Sequence, residues 1–182
     1  MFEGIAGKVL AGLVSVSALM FTSYTGNDPV FLPLHSKVGQ NYLMLQATLD
    51  KAFDNDFGDV FKCGKPIHLW YRVDIRNHNQ TVLTRTFRHT VTYNPMHATW
   101  ALFRSETNHT EIFSTYKELI SNISRLECSI PTNSTWKSVE VRTEAWLPEI
   151  ELTESNRKVD LMVLWKFHKP SVRIILSLEP TI

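Results

Sequence analysis

The feature that most constrains how this chain can fold is a two-residue period. In "IHLWYRVDIR", residues 67–76, Ile67, Leu69, Tyr71, Val73 and Ile75 alternate with His68, Trp70, Arg72, Asp74 and Arg76. Side chains two apart share a face only when the backbone is extended, so this stretch predicts a strand with one buried and one wetter side. The pattern recurs along the chain. Leu43, Leu45, Ala47 and Leu49 share one face of "NYLMLQATLD", and Leu83, Phe87, Val91 and Tyr93 share one face of "TVLTRTFRHTVTY" with mostly Thr opposite. "TWALFRS" (99–105) reads as a third strand of a meander. Later, Val139, Val141, Thr143 and Ala145 oppose Ser138, Glu140, Arg142 and Glu144, and "KVDLMVLWKF" and "SVRIILSL" supply two further strands. The turns "NHNQ" and "NPMHA" make consecutive hairpins, which imply antiparallel neighbours.

Two segments switch to a helical period. In "DKAFDNDFGDVFKCG", Phe53, Phe57, Val60 and Phe61 recur at helical spacing with Asp54, Asp56 and Asp59 on the other side. Gly64 stands where a left-handed cap is wanted, and Pro66 stops continuation. In "STYKELISNISRLE", Thr115 and Glu118 fit a capping box ahead of the stripe Tyr116, Leu119, Ile120, Ile123 and Leu126, and Cys128 follows closely. The order β-α-β-β-β-α-β-β-β predicts an α+β fold, mainly antiparallel β as a sandwich-like or meander sheet with two short helices. At 182 residues and 43% apolar, the chain suits one core. The expectation is a single domain over residues 41–182, preceded by an irregular leader at 26–40 that holds two prolines and two glycines.

Residues 1–25 differ from the rest. Lys8 is followed by 13 uncharged, mainly apolar residues, Val9 to Phe21, the length of a signal-peptide core, whereas a spanning helix needs about 20. A signal peptide is expected, or, if uncleaved, an N-terminal anchor giving peripheral membrane association. With 19 Lys and Arg against 18 Asp and Glu, the formal charge is +1, so no long-range field favours nucleic acid. Cys63 and Cys128, 65 residues apart, are a candidate disulfide in an oxidising compartment, and two buried free thiols are the alternative. Sequons at Asn79, Asn108, Asn122 and Asn133 would matter only in a eukaryotic source.

Chemistry-bearing motifs are scarce. No two of the seven histidines have the helical spacing of a zinc pair, and His89 shares the face of Phe87 and Val91, where a hydrogen-bonded core histidine is expected. "DNDFGD" lacks the closing glutamate of a calcium loop. No nucleophile elbow or phosphate loop is present. The expectation is no metal, no cofactor and no catalytic residue. The aromatic residues carry the remaining signal. Trp70 and Trp100 have the even parity assigned to the polar faces, so with Arg72 and Arg104 they form a candidate binding surface, unless that face is covered as core.

"TLDKAFDNDFGDVFKCGKPIHLWYRV", the "HTVTYNPM" turn and "AWLPEIEL" together resemble a bacterial exported family catalogued as domain of unknown function 4390. The matching positions are Gly64, Pro66, Tyr93, Asn94, Pro95, Leu147 and Pro148, within residues 43–150, with Asn94 standing where the family has Asp. The resemblance implies a periplasmic or cell-envelope address and brings no catalytic residues with it. The resulting expectation is a non-enzymatic binding or accessory module for an envelope protein or glycan. The alternatives are an envelope hydrolase acting on polymer or lipid through acids such as Asp74, Glu140 and Glu144, and a structural homo-oligomer.

Overall fold

The computed structural model describes residues 25–152 and 157–178; the apolar run at residues 9–21 and the signal or anchor expected there lie outside them. In chain order the elements are β1 (Val30–Phe31), β2 (His35–Val38), β3 (Tyr42–Asp50), the single helical turn α1 (Phe57–Val60), β4 (Ile67–Asn77), β5 (Gln80–Asn94), β6 (Thr99–Arg104) and β7 (His109–Phe113). Then come α2 (Tyr116–Ile123), β8 (Arg125–Pro131), β9 (Ser138–Trp146), β10 (Glu149–Leu152), β11 (Arg157–Asp160), a 3-10 segment (Leu161–Trp165) and β12 (Ser171–Ser177). The larger sheet has the order β12-β9-β4-β5-β6-β7, with every pair antiparallel. In the smaller sheet β3 is central, with β8 on one edge and β1 and β2 along the other. β10 and β11 form a separate hairpin. This is the expected α+β, mainly antiparallel architecture, built as a sandwich.

The two-residue period explains the core. Odd-numbered residues of β3, β4 and β9 point inward, and Leu43, Leu45, Leu69, Tyr71, Val73 and Val141 are all essentially buried. β8 contributes even-numbered Leu126, Cys128 and Ile130, because β3 residues pair with β8 residues of opposite parity, such as Leu45 with Cys128. The aromatic cluster Phe53, Phe57 and Phe61 closes one end; Phe57 meets Phe53 edge-on at 4.8 Å and Phe61 at 5.5 Å. Trp165 joins it and donates its indole N–H to the Ala52 carbonyl at 2.8 Å.

Several boundaries differ from the sequence reading. The leader is not irregular: β1 and β2 pair with β3, and Asn27 locks its start into the domain. The Asn27 amide donates to the carbonyls of Asn55 and Leu164, while its oxygen accepts from the Asn55 backbone N–H. The first helix shrinks to one turn because Asp56 adopts a left-handed φ of 66°, which ends any helix begun at Phe53. Gly64 is left-handed at φ 80°, but it does not cap the helix: the C-cap is Phe61, in right-handed geometry, and Gly64 turns the chain three residues later on the way to β4. The second helix has both halves of the Thr115/Glu118 capping box but stops at Ile123, so Leu126 and Cys128 belong to a strand. "KVDLMVLWKF" splits between β11 and the 3-10 segment, where the Asp160 carboxylate accepts from the Met162 N–H at 2.8 Å.

Two substitutions separate packing from capping. Phe57→Ala should lower stability by about 3–5 kcal/mol through the cavity it leaves, and Thr115→Ala by about 1 kcal/mol through the lost cap. Urea titrations should show both as shifted midpoints with unchanged slope.

Candidate functional site

The outer face of the larger sheet carries the even-numbered residues of β4 and β9. Trp70 pairs across the ladder with Trp146, and their rings lie nearly parallel, 10° apart with centroids at 6.2 Å. On the other flank the register puts Arg88 of β5 opposite Trp70, with its guanidinium 5.6 Å from the ring centroid. A cationic group this close to an indole is attracted by the ring quadrupole. Trp146, Trp70 and Arg88 therefore form a band across three adjacent strands, with each residue half-buried.

Beside the band runs a lattice of ion pairs. Arg72 reaches Glu144 at 2.9 Å and Asp74 at 3.3 Å, and Thr84 donates its hydroxyl to Asp74 at 2.6 Å. Arg142 lies 3.7 Å from Glu144, while Arg76 and Arg173 lie 3.6 and 3.9 Å from Glu140. Asp74, Glu140 and Glu144, the acids of the hydrolase alternative, thus each face at least one arginine. Each of the three carboxylates is thus engaged in an ion pair, which favours its charged form.

The four residues of the sequence-level binding surface do not stay together. Trp70 and Arg72 share the outer face, but Trp100 and Arg104 point the other way. "TWALFRS" has apolar residues at both parities, and the register with β5 decides between them: Val91 pairs with Leu102 and Tyr93 with Trp100. The even residues of β6 are therefore the inward ones. Trp100 is 7% exposed, beside Tyr93 at 5.2 Å and Tyr116 at 6.3 Å, with the Lys62 ammonium 5.9 Å from its ring. Arg104 instead bridges Glu111 at 2.5 Å and the Asn122 side-chain oxygen at 2.9 Å. The residue that completes the outer band, Trp146, had its parity readable from sequence, but its partnership with Trp70 depends on the β4–β9 register.

Beneath Arg104 lies the most deeply buried polar pair. His89 has no exposed side-chain surface and Glu106 has 2%, and Nε2 of His89 is 2.7 Å from Oε1 of Glu106. Nδ1 of His89 is 2.8 Å from the Ile123 carbonyl, which can only accept, so Nδ1 carries a hydrogen. Nε2 and Oε1 must then share one further proton, as imidazolium and carboxylate or as imidazole and carboxylic acid. The Tyr71 hydroxyl donates to the same Ile123 carbonyl at 2.9 Å. Burial, and then the nearby Glu106 charge, push the Tyr71 phenol well above its usual value, so it stays a donor. His89 is thus a hydrogen-bonded core histidine. Glu106, in the β6–β7 turn, carried no sequence signal, since nothing local marks a turn glutamate as buried. Glu106 also lines an open cleft of about 390 Å³ with Arg104, His109, Glu111, Asn122 and Arg125. There Arg104 and Glu111, and likewise Arg125 and Glu127, are paired with each other.

The cysteines are both free and buried, which realises the second of the two sequence-level alternatives. Cys128 does not follow a helix; it sits inside β8 with its side chain in the core. Burial, then Glu106, push its thiol up to about 12, and burial also raises Cys63. Neither is a ready thiolate nucleophile. Among the described residues no three His, Cys, Asp or Glu side chains converge as a metal set, and no helix is long and apolar enough to cross a membrane. Compared with known proteins, the chain matches no family model, no curated protein and no solved structure.

Two measurements probe these sites. Glu106→Ala leaves buried His89 without its partner and should lower stability by about 3–5 kcal/mol. Glu106→Gln should cost far less, because its amide can still donate to neutral Nε2. On the outer face, Nδ1 of His68 lies 3.0 Å from the Thr90 hydroxyl. Burial, and then Arg88, hold the His68 imidazole below its usual value. The folded state therefore resists protonating it. Its contribution is complete above the unfolded value of about 6.5 and is lost as pH falls from there through the lower folded value. Urea midpoints at pH 7 and 5 should fall further for the wild type than for His68→Asn.

Proposed function

We propose that this protein is a non-enzymatic, extracytoplasmic binding module of the bacterial cell envelope, and that it engages its partner through the outer face of the larger sheet. The observation that carries this reading is the Trp146–Trp70–Arg88 band, with its parallel indoles and overlying guanidinium on a face open to solvent. Tryptophan and arginine are the residue types that most often dominate interface energetics, and their placement on rigid central strands fixes them before a partner arrives. The surrounding arginines and paired acids form a polar rim of the kind that sets register. The engaged state of Asp74, Glu140 and Glu144 weighs against envelope hydrolysis through those acids. The envelope address rests on the apolar run at residues 9–21 and on the resemblance to the exported family.

The partner is an envelope protein or a glycan. A photo-crosslinking residue at Thr86, on the same face, should capture the partner in intact cells, and purified envelope polysaccharide should be tested for retention of the protein in parallel. Trp70→Ala and Arg72→Glu should each reduce capture or retention at least about tenfold, corresponding to about 1.4 kcal/mol or more, while circular dichroism stays unchanged. Undiminished capture by both variants would place the binding surface elsewhere.

A further inference from the structure

We infer that β12 is a self-pairing edge through which two copies of this chain join their larger sheets into one continuous sheet. β12 is an outermost strand whose one ladder neighbour among the described residues is β9. The flanking bonds fix which of its backbone groups are already used. Ala145 N–H donates to the Pro170 carbonyl at 3.1 Å, and Leu178 N–H donates to the Lys137 carbonyl at 2.9 Å. In an antiparallel ladder the bonded residues alternate, so Val172, Ile174 and Leu176 bond to β9. Ser171, Arg173, Ile175 and Ser177 turn their N–H and C=O groups to the free edge.

The sequence of that edge reads nearly the same in both directions. In "SVRIILS" serine stands at each end, and apolar residues occupy 172, 174 and 176, symmetric about Ile174. Laid antiparallel against a second copy with a two-fold axis at Ile174, Ser171 faces Ser177 and Arg173 faces Ile175. Every hydrogen-bonding pair then falls on residues whose backbone groups are free. On the inner face Val172 meets Leu176 and Ile174 meets itself, so side chains that a lone edge leaves half-exposed become covered. On the outer face Ile175 is 72% exposed and sits opposite Glu140 of β9. The incoming Arg173 of the second copy lies across Ile175 from that carboxylate, which Arg76 and Arg173 of its own chain already face at 3.6 and 3.9 Å, so the match is one of register. The other edge, β7, lacks this symmetry: "HTEIF" has no two-fold arrangement of like residues.

An interface confined to one strand pair and its side chains falls below the roughly 1,200 Å² of a standard stable complex, so the dimer should dissociate on dilution through the micromolar range. Sedimentation of the full 182-residue chain should show a monomer–dimer equilibrium. Ile175→Lys, which sets a lysine against the partner copy's arginine without altering the backbone, should raise the dissociation constant at least tenfold. Register is tested by cysteine. Ile174→Cys lies at a non-hydrogen-bonded pair on the two-fold axis, where Cα atoms approach to about 4.5 Å, and should form a disulfide-linked dimer under mild oxidation. Val172→Cys, displaced from its own copy along the strand, should form at least tenfold less. A monomer at every concentration up to the millimolar range would overturn the inference, as would a dimer insensitive to Ile175→Lys or equal crosslinking at the two positions. None of these results bears on the Trp70–Trp146 band, so failure here and failure of the binding reading remain distinguishable.

Discussion

One backbone carbonyl, that of Ile123, holds the two layers of this protein in register. It terminates α2, stands at the entry to β8, and accepts from both the Tyr71 hydroxyl of β4 and the His89 imidazole of β5. A carbonyl at a helix end has lost its helical partner and must find donors elsewhere when buried. Here both donors come from the opposite sheet, so satisfying the helix end and docking the layers are one event. The other nitrogen of His89 extends the tie to Glu106 in the β6–β7 turn. Moving α2, β8 or that hairpin would strand at least one buried polar group.

That tie also separates the molecule's two polar regions. The inner one is buried and its role is cohesion, with His89 bonded through both ring nitrogens while Oε2 of Glu106 has no hydrogen-bond partner. The outer one, around Trp70, Trp146 and Arg88, is half-exposed and joins no second layer. Burial distinguishes them more reliably than composition does, since both combine aromatic rings with basic and acidic groups.

How much of this could be read from sequence depended on whether local period and tertiary environment agreed. β3, β4, β5 and β9 each alternate, and their inward residues followed directly; β12 was read as a strand, but Ile174, Ile175 and Leu176 in succession left its inward face undefined. Leu126 satisfied two periods at once, continuing the α2 stripe from Ile123 and beginning the alternation with Cys128 and Ile130, so β8 was absorbed into the helix. β7 has too few apolar residues to alternate, and its strand exists because β6 offers it an edge. Trp100 was placed on the wrong face because Ala101, Leu102 and Phe103 leave the parity of β6 undefined until Tyr93 and Val91 pair with it. The leader was misread because its anchors are distant in sequence: Asn27 bonds to Asn55 and Leu164, and the short β1 and β2 are strands only by pairing with β3.

The state of Cys63 and Cys128 has a broader consequence for the life of this fold. With both sulfurs packed as small apolar groups, no covalent crosslink among the described residues contributes to stability, and neither thiol is presented to an oxidant. The folded domain is accordingly indifferent to redox potential. A reducing or an oxidising medium alike would leave these two sulfurs in the same packing, with no bond between them to form or break.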